Sequence, residues 1–171
     1  MRVRTFERAT SIVLVALLGA CSTTGTSDGG KPTVAGTAAP VAAQVAVYRS
    51  LFASNASAFQ DRAAAYCVGS KVNGKTSDPD PAILEAMRDN PKVKPASACD
   101  LGPQGVRVVD RQSGQPALMF DVETASCTST TDCTIYGGYY EGNLSSQRNL
   151  YRARQVNGQW NATVEEQGPI S

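Results

Sequence analysis

Leu118-Met-Phe-Asp-Val-Glu123 sets Leu118, Phe120 and Val122 at alternate positions, with Met119, Asp121 and Glu123 between them. A period of two marks a strand with one face packed and the other wet. Downstream, Cys133 to Gly142 reads as a further strand, in which Gly137-Gly138 marks a bulge or a close backbone approach. Asn149 to Val156 and Gln159 to Glu165 give two more, joined by the tight hairpin turn Asn157-Gly158. Upstream, Val106 to Asp110 is a short strand and Gln112 to Gln115 a turn.

Before Gly105 the period lengthens. Val45, Tyr48, Leu51 and Phe52 recur at helical spacing, which predicts a helix over about 43–56. Arg62 to Gly69 leans toward a strand. Asp80-Pro81 pairs an N-cap acid with proline at the first helical position, and Ile83, Leu84 and Met87 make the buried stripe of a second helix stopped before Pro91. Lys92 to Cys99 reads as an irregular connection. Helices first and strands after predict an α+β domain: two N-terminal helices followed by an antiparallel β-meander of four to five strands. A curled sheet with a helix on its concave face suits that order. With its closing hairpin ending Gly158-Gln-Trp160, the pattern resembles in outline the cystatin-like and nuclear-transport-factor-like shapes, a resemblance that implies shape and no function.

The first eight residues carry Arg2, Arg4 and Arg8 against Glu7, and an apolar run follows from Ser11 to Leu18. That run is well short of the roughly 20 residues needed to span a bilayer, and its basic flank and small-residue exit fit a secretory signal. Leu18-Gly19-Ala20-Cys21 resembles the lipobox of bacterial lipoproteins. The resemblance implies a signal peptide over 1–20, cleavage before Cys21 and a diacylglycerol thioether on that cysteine. The partner it implies is the lipid bilayer of a cell envelope. Ser22, in place of the aspartate that resembles an inner-membrane retention signal, favours the outer membrane facing the periplasm. Stable anchoring needs more than one acyl chain. Residues 21–41, rich in Ser, Thr, Gly, Ala and Pro, predict a flexible tether with an r.m.s. reach of roughly 25 Å. A single α+β domain then occupies 42–171.

Removing residues 1–20 takes Arg2, Arg4, Arg8 and Glu7 from 16 basic and 15 acidic side chains, leaving 13 and 14 and a net charge of −1. That balance lacks the basic face that nucleic-acid binding requires. With Cys21 assigned to lipid, four of the five cysteines remain: Cys67, Cys99, Cys127 and Cys133. In an exported chain they read as two disulfides, with three possible connectivities. The short spacing of Cys127 and Cys133, both beside strand-like sequence, suits a staple across a hairpin end, leaving Cys67 with Cys99. A zinc site is the poorer reading, because paired C-x₂-C spacing and histidine are both missing.

The absence of histidine from the sequence removes imidazole bases, Ser-His-Asp and Cys-His constellations and imidazole metal ligands. No glycine-rich phosphate loop is present, and no cofactor is expected. Asp110, Asp121, Glu123, Glu141 and Glu165 leave a carboxylate-dependent hydrolase as the enzymatic alternative. Their spacing is explained equally by the wet faces of strands, so an enzyme is disfavoured. Tyr136, Tyr139, Tyr140, Tyr151 and Trp160 concentrate in the last strands, beside Arg152 and Arg154 on a shared face. These seven are the candidate binding residues, for an envelope protein or a small ligand; core packing is the competing role. The expectation is a non-catalytic binding or adaptor domain, with a periplasmic inhibitor or immunity protein as the alternative.

Overall fold

The computed structural model describes residues 38–102, 106–143 and 145–171. The leader, the lipobox cysteine and nearly all of the tether lie outside the described residues. The chain forms an α+β fold with one major helix, a mixed sheet and two disulfides.

Helix α1 spans Val41–Ala53, with Ala43, Val45, Val47, Tyr48 and Leu51 buried. Strand β1, Tyr66–Val72, turns through Asn73-Gly74 into β2, Lys75–Ser77. Both turn residues have positive φ (51° and 76°), the conformation that two-residue hairpins require and that Asn-Gly supplies. Short elements follow: α2 at Pro81–Ala86, β3 at Val93–Pro95, β4 at Cys99–Leu101 and β5 at Val108–Asp110. The long strands are β6, Leu118–Ser129; β7, Asp132–Gly142; β8, Ser145–Val156; and β9, Gln159–Glu166.

Four expectations need correction. The second N-terminal helix is reduced to the six residues of α2. Asp80 does cap it, its carboxylate accepting from the Ala82 amide at 2.8 Å, and Ile83 is buried. However, Arg88-Asp-Asn-Pro91 favours turns, and Asn90 bonds the Lys92 amide instead of extending the helix. Nor is the sheet a simple antiparallel meander. Its order is β2-β1-β6-β7-β8-β9, with β3 also on β1. β1 runs parallel to both β6 and β3, while β6 to β9 are antiparallel. Lys92 to Cys99, expected to be irregular, thus contains a strand. β5, expected to open the meander, pairs with β4 in a separate two-stranded sheet.

Parallel neighbours need a long crossover, and here α2, β3, β4 and β5 form it. The Cys67–Cys99 disulfide ties β4 back to β1, and a small core of Ala65, Cys67, Cys99, Val108 and Ala117 packs with Met119 and Tyr140 around that bond. The main core lies on the opposite face of the sheet, under α1. Val68, Phe120, Val122, Ile135, Tyr151 and Ala153 are among its buried residues. The Phe52 ring lies 4.9 Å from that of Phe120 and 5.2 Å from that of Tyr66. Gly137 is the close approach anticipated in β7. A Cβ there would lie 2.8 Å from a Val47 methyl and 3.2 Å from a Leu51 methyl, so its lack of a side chain sets how near α1 can sit. Cys127 and Cys133 face each other across β6 and β7, their Cα atoms 4.0 Å apart, and close the far end.

Candidate functional site

Alternation along β7 and β8 divides the candidate residues between the two faces. Tyr139 and Tyr151 point into the core and are buried, and Trp160 packs against that core from β9. Tyr136, Tyr140, Arg152 and Arg154 belong to the outer face. Tyr139 and its neighbour Tyr140 thus serve opposite sides, as strand geometry demands. Tyr140 is partly covered by the small core around Cys67–Cys99, whereas Tyr136 is 42% exposed. The seven residues therefore do not form one site; three of them, Tyr136, Arg152 and Arg154, remain on the accessible outer face, with Tyr136 diagonal to Arg152.

That surface is a lattice of ion pairs. Arg152 grips Asp132 through two hydrogen bonds of 2.8 and 3.1 Å and lies 3.5 Å from Glu165. Arg154 adds a contact of 3.3 Å to Asp132. The Arg152 guanidinium, through these bonds, holds the Asp132 carboxyl below the usual carboxylate range. One step along β8, Arg148 crosses over Gly138 to pair with Asp121 and approaches Glu123 at 4.0 Å. Gly138 has no side chain to block that reach; a Cβ there would sit 2.9 Å from the Gln147 carbonyl oxygen. Nη1 of Arg148 is buried without a hydrogen-bond partner among the described residues.

The helix-facing side is filled. Tyr48, Leu51, Phe120 and Tyr151 are fully buried between α1 and the sheet. Tyr48 donates to the Gly69 carbonyl at 2.6 Å, and burial pushes its hydroxyl far up from the ordinary phenol value. The Tyr151 hydroxyl is buried without a partner among the described residues, and burial raises it too. An open groove of about 650 Å³ runs along the edge of this layer, where Val41, Val45 and Ala46 face Trp160.

The carboxylates once grouped for hydrolysis are also dispersed. Asp121, Glu123 and Glu165 share the outer face and each meets an arginine. Asp110 sits in the β5 turn, where the Ser113 hydroxyl at 2.6 Å and Lys94 at 2.9 Å hold it down to about 2. Glu141 lies at the end of β7, where its Oε2 accepts from the hydroxyls of Ser57 at 2.7 Å and Ser145 at 2.9 Å. It borders two adjoining clefts that also share Arg107, one of about 260 Å³ reaching Arg62 and one of about 410 Å³ reaching Asn143. Neither arginine stood out in the sequence, because no motif links the turn Gln60–Arg62 to the chain that leads into β5. Among the described residues, no group of three or more acidic or cysteine side chains is placed to hold a metal ion.

The fold and its surfaces define a class: a disulfide-bonded α+β domain with a filled helix-facing core and an arginine-carboxylate outer face. Among known proteins, no family model, no curated protein and no solved structure matches this chain.

Proposed function

We propose that the protein is a bacterial envelope lipoprotein whose domain binds another envelope protein through the outer face of β7, β8 and β9. The observation that carries the binding half is the contrast between a filled helix-facing layer and an outer face where exposed Tyr136 lies diagonal to Arg152 in the β7–β8 register. Tyrosine and arginine are, with tryptophan, enriched at binding hot spots. The anchoring half rests on the lipobox resemblance at Leu18 to Cys21. Two disulfides suit an oxidising compartment. On this reading the domain contributes no catalysis: acyl chains on Cys21 hold it at the bilayer, and the tether lets the outer face search for its partner.

Two experiments test the two halves separately. Mass spectrometry of the protein from the producing cell should show cleavage before Cys21 and an acyl mass on the new N-terminus. An unacylated Cys21, or a mature N-terminus elsewhere, would overturn the anchor. A photocrosslinking residue at Tyr136 in intact cells should give one discrete adduct that weakens with Arg152→Ala. No adduct, or the same adducts from a control probe at exposed Val72 on the opposite edge of the sheet, would overturn the outer-face reading.

A further inference from the structure

Eight arginines fall among the described residues, and six of them meet a carboxylate within 4.0 Å. The two that do not, Arg62 and Arg107, line the same cleft. They reach it from distant parts of the chain: Arg62 closes the short turn Gln60–Arg62 after α1, and Arg107 leads into β5. Arg107 is fixed there by its backbone pairing with Gly142, where a Cβ would lie 2.1 Å from the Val106 carbonyl oxygen. Arg62 is held over the Phe59 ring, 5.0 Å from its centroid.

The rest of the cleft is of two kinds. Phe59, Pro116 and Ala117 give an apolar wall. Glu141 gives a carboxylate that neither arginine pairs with among the described residues, and the Ser57 and Ser145 hydroxyls hold it in place. Two exposed arginines, one fixed carboxylate and an apolar wall therefore border the same space of about 260 Å³. That is slightly below the roughly 300–1,000 Å³ of sites for drug-sized molecules, and it suits a smaller one.

We propose that this cleft binds a free apolar α-amino acid. The arginine forks receive its carboxylate, the geometry for which guanidinium is best suited. Glu141 receives its ammonium, and the wall of Phe59, Pro116 and Ala117 receives its side chain. Both charges of the ligand are thereby matched, and its carboxylate screens the two arginines from each other. This site is separate from the outer face, so it stands or falls independently of the protein-binding reading above.

The full-length protein in detergent micelles is titrated with L-phenylalanine by calorimetry. Saturable binding at about 1 mM or tighter is expected. L-Phenylalaninamide, lacking the carboxylate, and N-acetyl-L-phenylalanine, lacking the ammonium, should each bind about tenfold more weakly or worse. Arg62→Ala and Arg107→Ala should each cost about tenfold as well, while Arg111→Ala, whose guanidinium faces Asp100, should leave the affinity unchanged. Arg62→Lys keeps the charge and loses the fork, and should also weaken binding should the alanine variant fail to fold. The proposal is overturned by any one of three results: no saturable binding, analogues that bind as well as the parent, or folded arginine variants of normal affinity.

Discussion

The two faces of the β6–β9 sheet are made by alternate residues of the same strands, yet they are built on opposite principles. On the helix side, Phe120, Ile135, Tyr151 and Ala153 meet α1 in a layer whose members are fully buried. On the outer side, Arg152 and Arg154 meet Asp132 and Glu165 near the surface, and only Arg148 reaches a buried carboxylate, that of Asp121. Side-chain burial of the first kind is worth kilocalories per residue, whereas exposed ion pairs contribute little. The difference teaches that stability belongs to one face and leaves the other free to serve recognition.

The comparison is broken most directly from the helix side. Phe120→Ala should cost about 3–5 kcal/mol in a urea titration, because its ring fills the space between Phe52 and Tyr66. A loss under about 1 kcal/mol would mean that this layer is not the core. Next in size is the bond that fastens the crossover. Replacing Cys67 and Cys99 together by serine should cost about 2–4 kcal/mol. The pair is 32 residues apart, against 6 for Cys127–Cys133, so the chain-entropy argument gives the shorter loop the smaller effect. Gly137→Ala should cost about 1–3 kcal/mol, since its Cβ would meet Val47 and Leu51 of α1. Gly158→Ala tests a different device, the positive φ of 78° in the β8–β9 turn, at a position with open space around it.

The outer face and the C-terminal strands were the legible part of the sequence. Period-two alternation located β7 and β9 closely, found only the first half of β6, and placed Arg152 and Arg154 on one face. It set the start of β8 four residues late, at Asn149 instead of Ser145. In the N-terminal half α1 and the Asp80 cap were legible, but the strands resisted for a physical reason. β1 is covered on both sides, by α1 and by the small disulfide core, so Tyr66, Cys67, Val68 and Gly69 are all buried and show no alternation. β2, β3, β4 and β5 have three residues each, too few to display any period. Parallel pairing of β1 with β6 has no local signature at all. One signal did exist: Asn73-Gly74 is the same dipeptide as Asn157-Gly158 and makes the same kind of turn. The cleft of Arg62 and Arg107 was hidden because the crossover, not any motif, brings the two together.

Acid titration separates a buried carboxylate from the exposed lattice. Asp110 accepts from Ser113 and Lys94, and its folded value of about 2 lies below that of the unfolded chain. Its contribution to stability is thus complete above about pH 4, the unfolded range, and is lost as the pH falls through about 2. Asp110→Asn should flatten this acid limb of the urea midpoint while leaving the outer-face lattice in place. An unchanged limb would assign the acid sensitivity elsewhere.

The smallest expected effect bears most on function. Arg152 is about one-third exposed and grips Asp132 with two hydrogen bonds, so Arg152→Ala removes a good ion pair from a wet surface. Such pairs contribute little, because water and salt screen them and two long side chains lose freedom to form them. Stability in urea should therefore hardly move, and that small change should shrink further in high salt. Photocrosslinking from Tyr136 should nevertheless fall, because the same guanidinium is presented to the partner. A large loss of stability would make the lattice structural, and the two faces would then share one role. A small loss with unchanged crosslinking would move recognition away from Arg152 and toward the opposite end of the outer face, where Arg148 crosses Gly138.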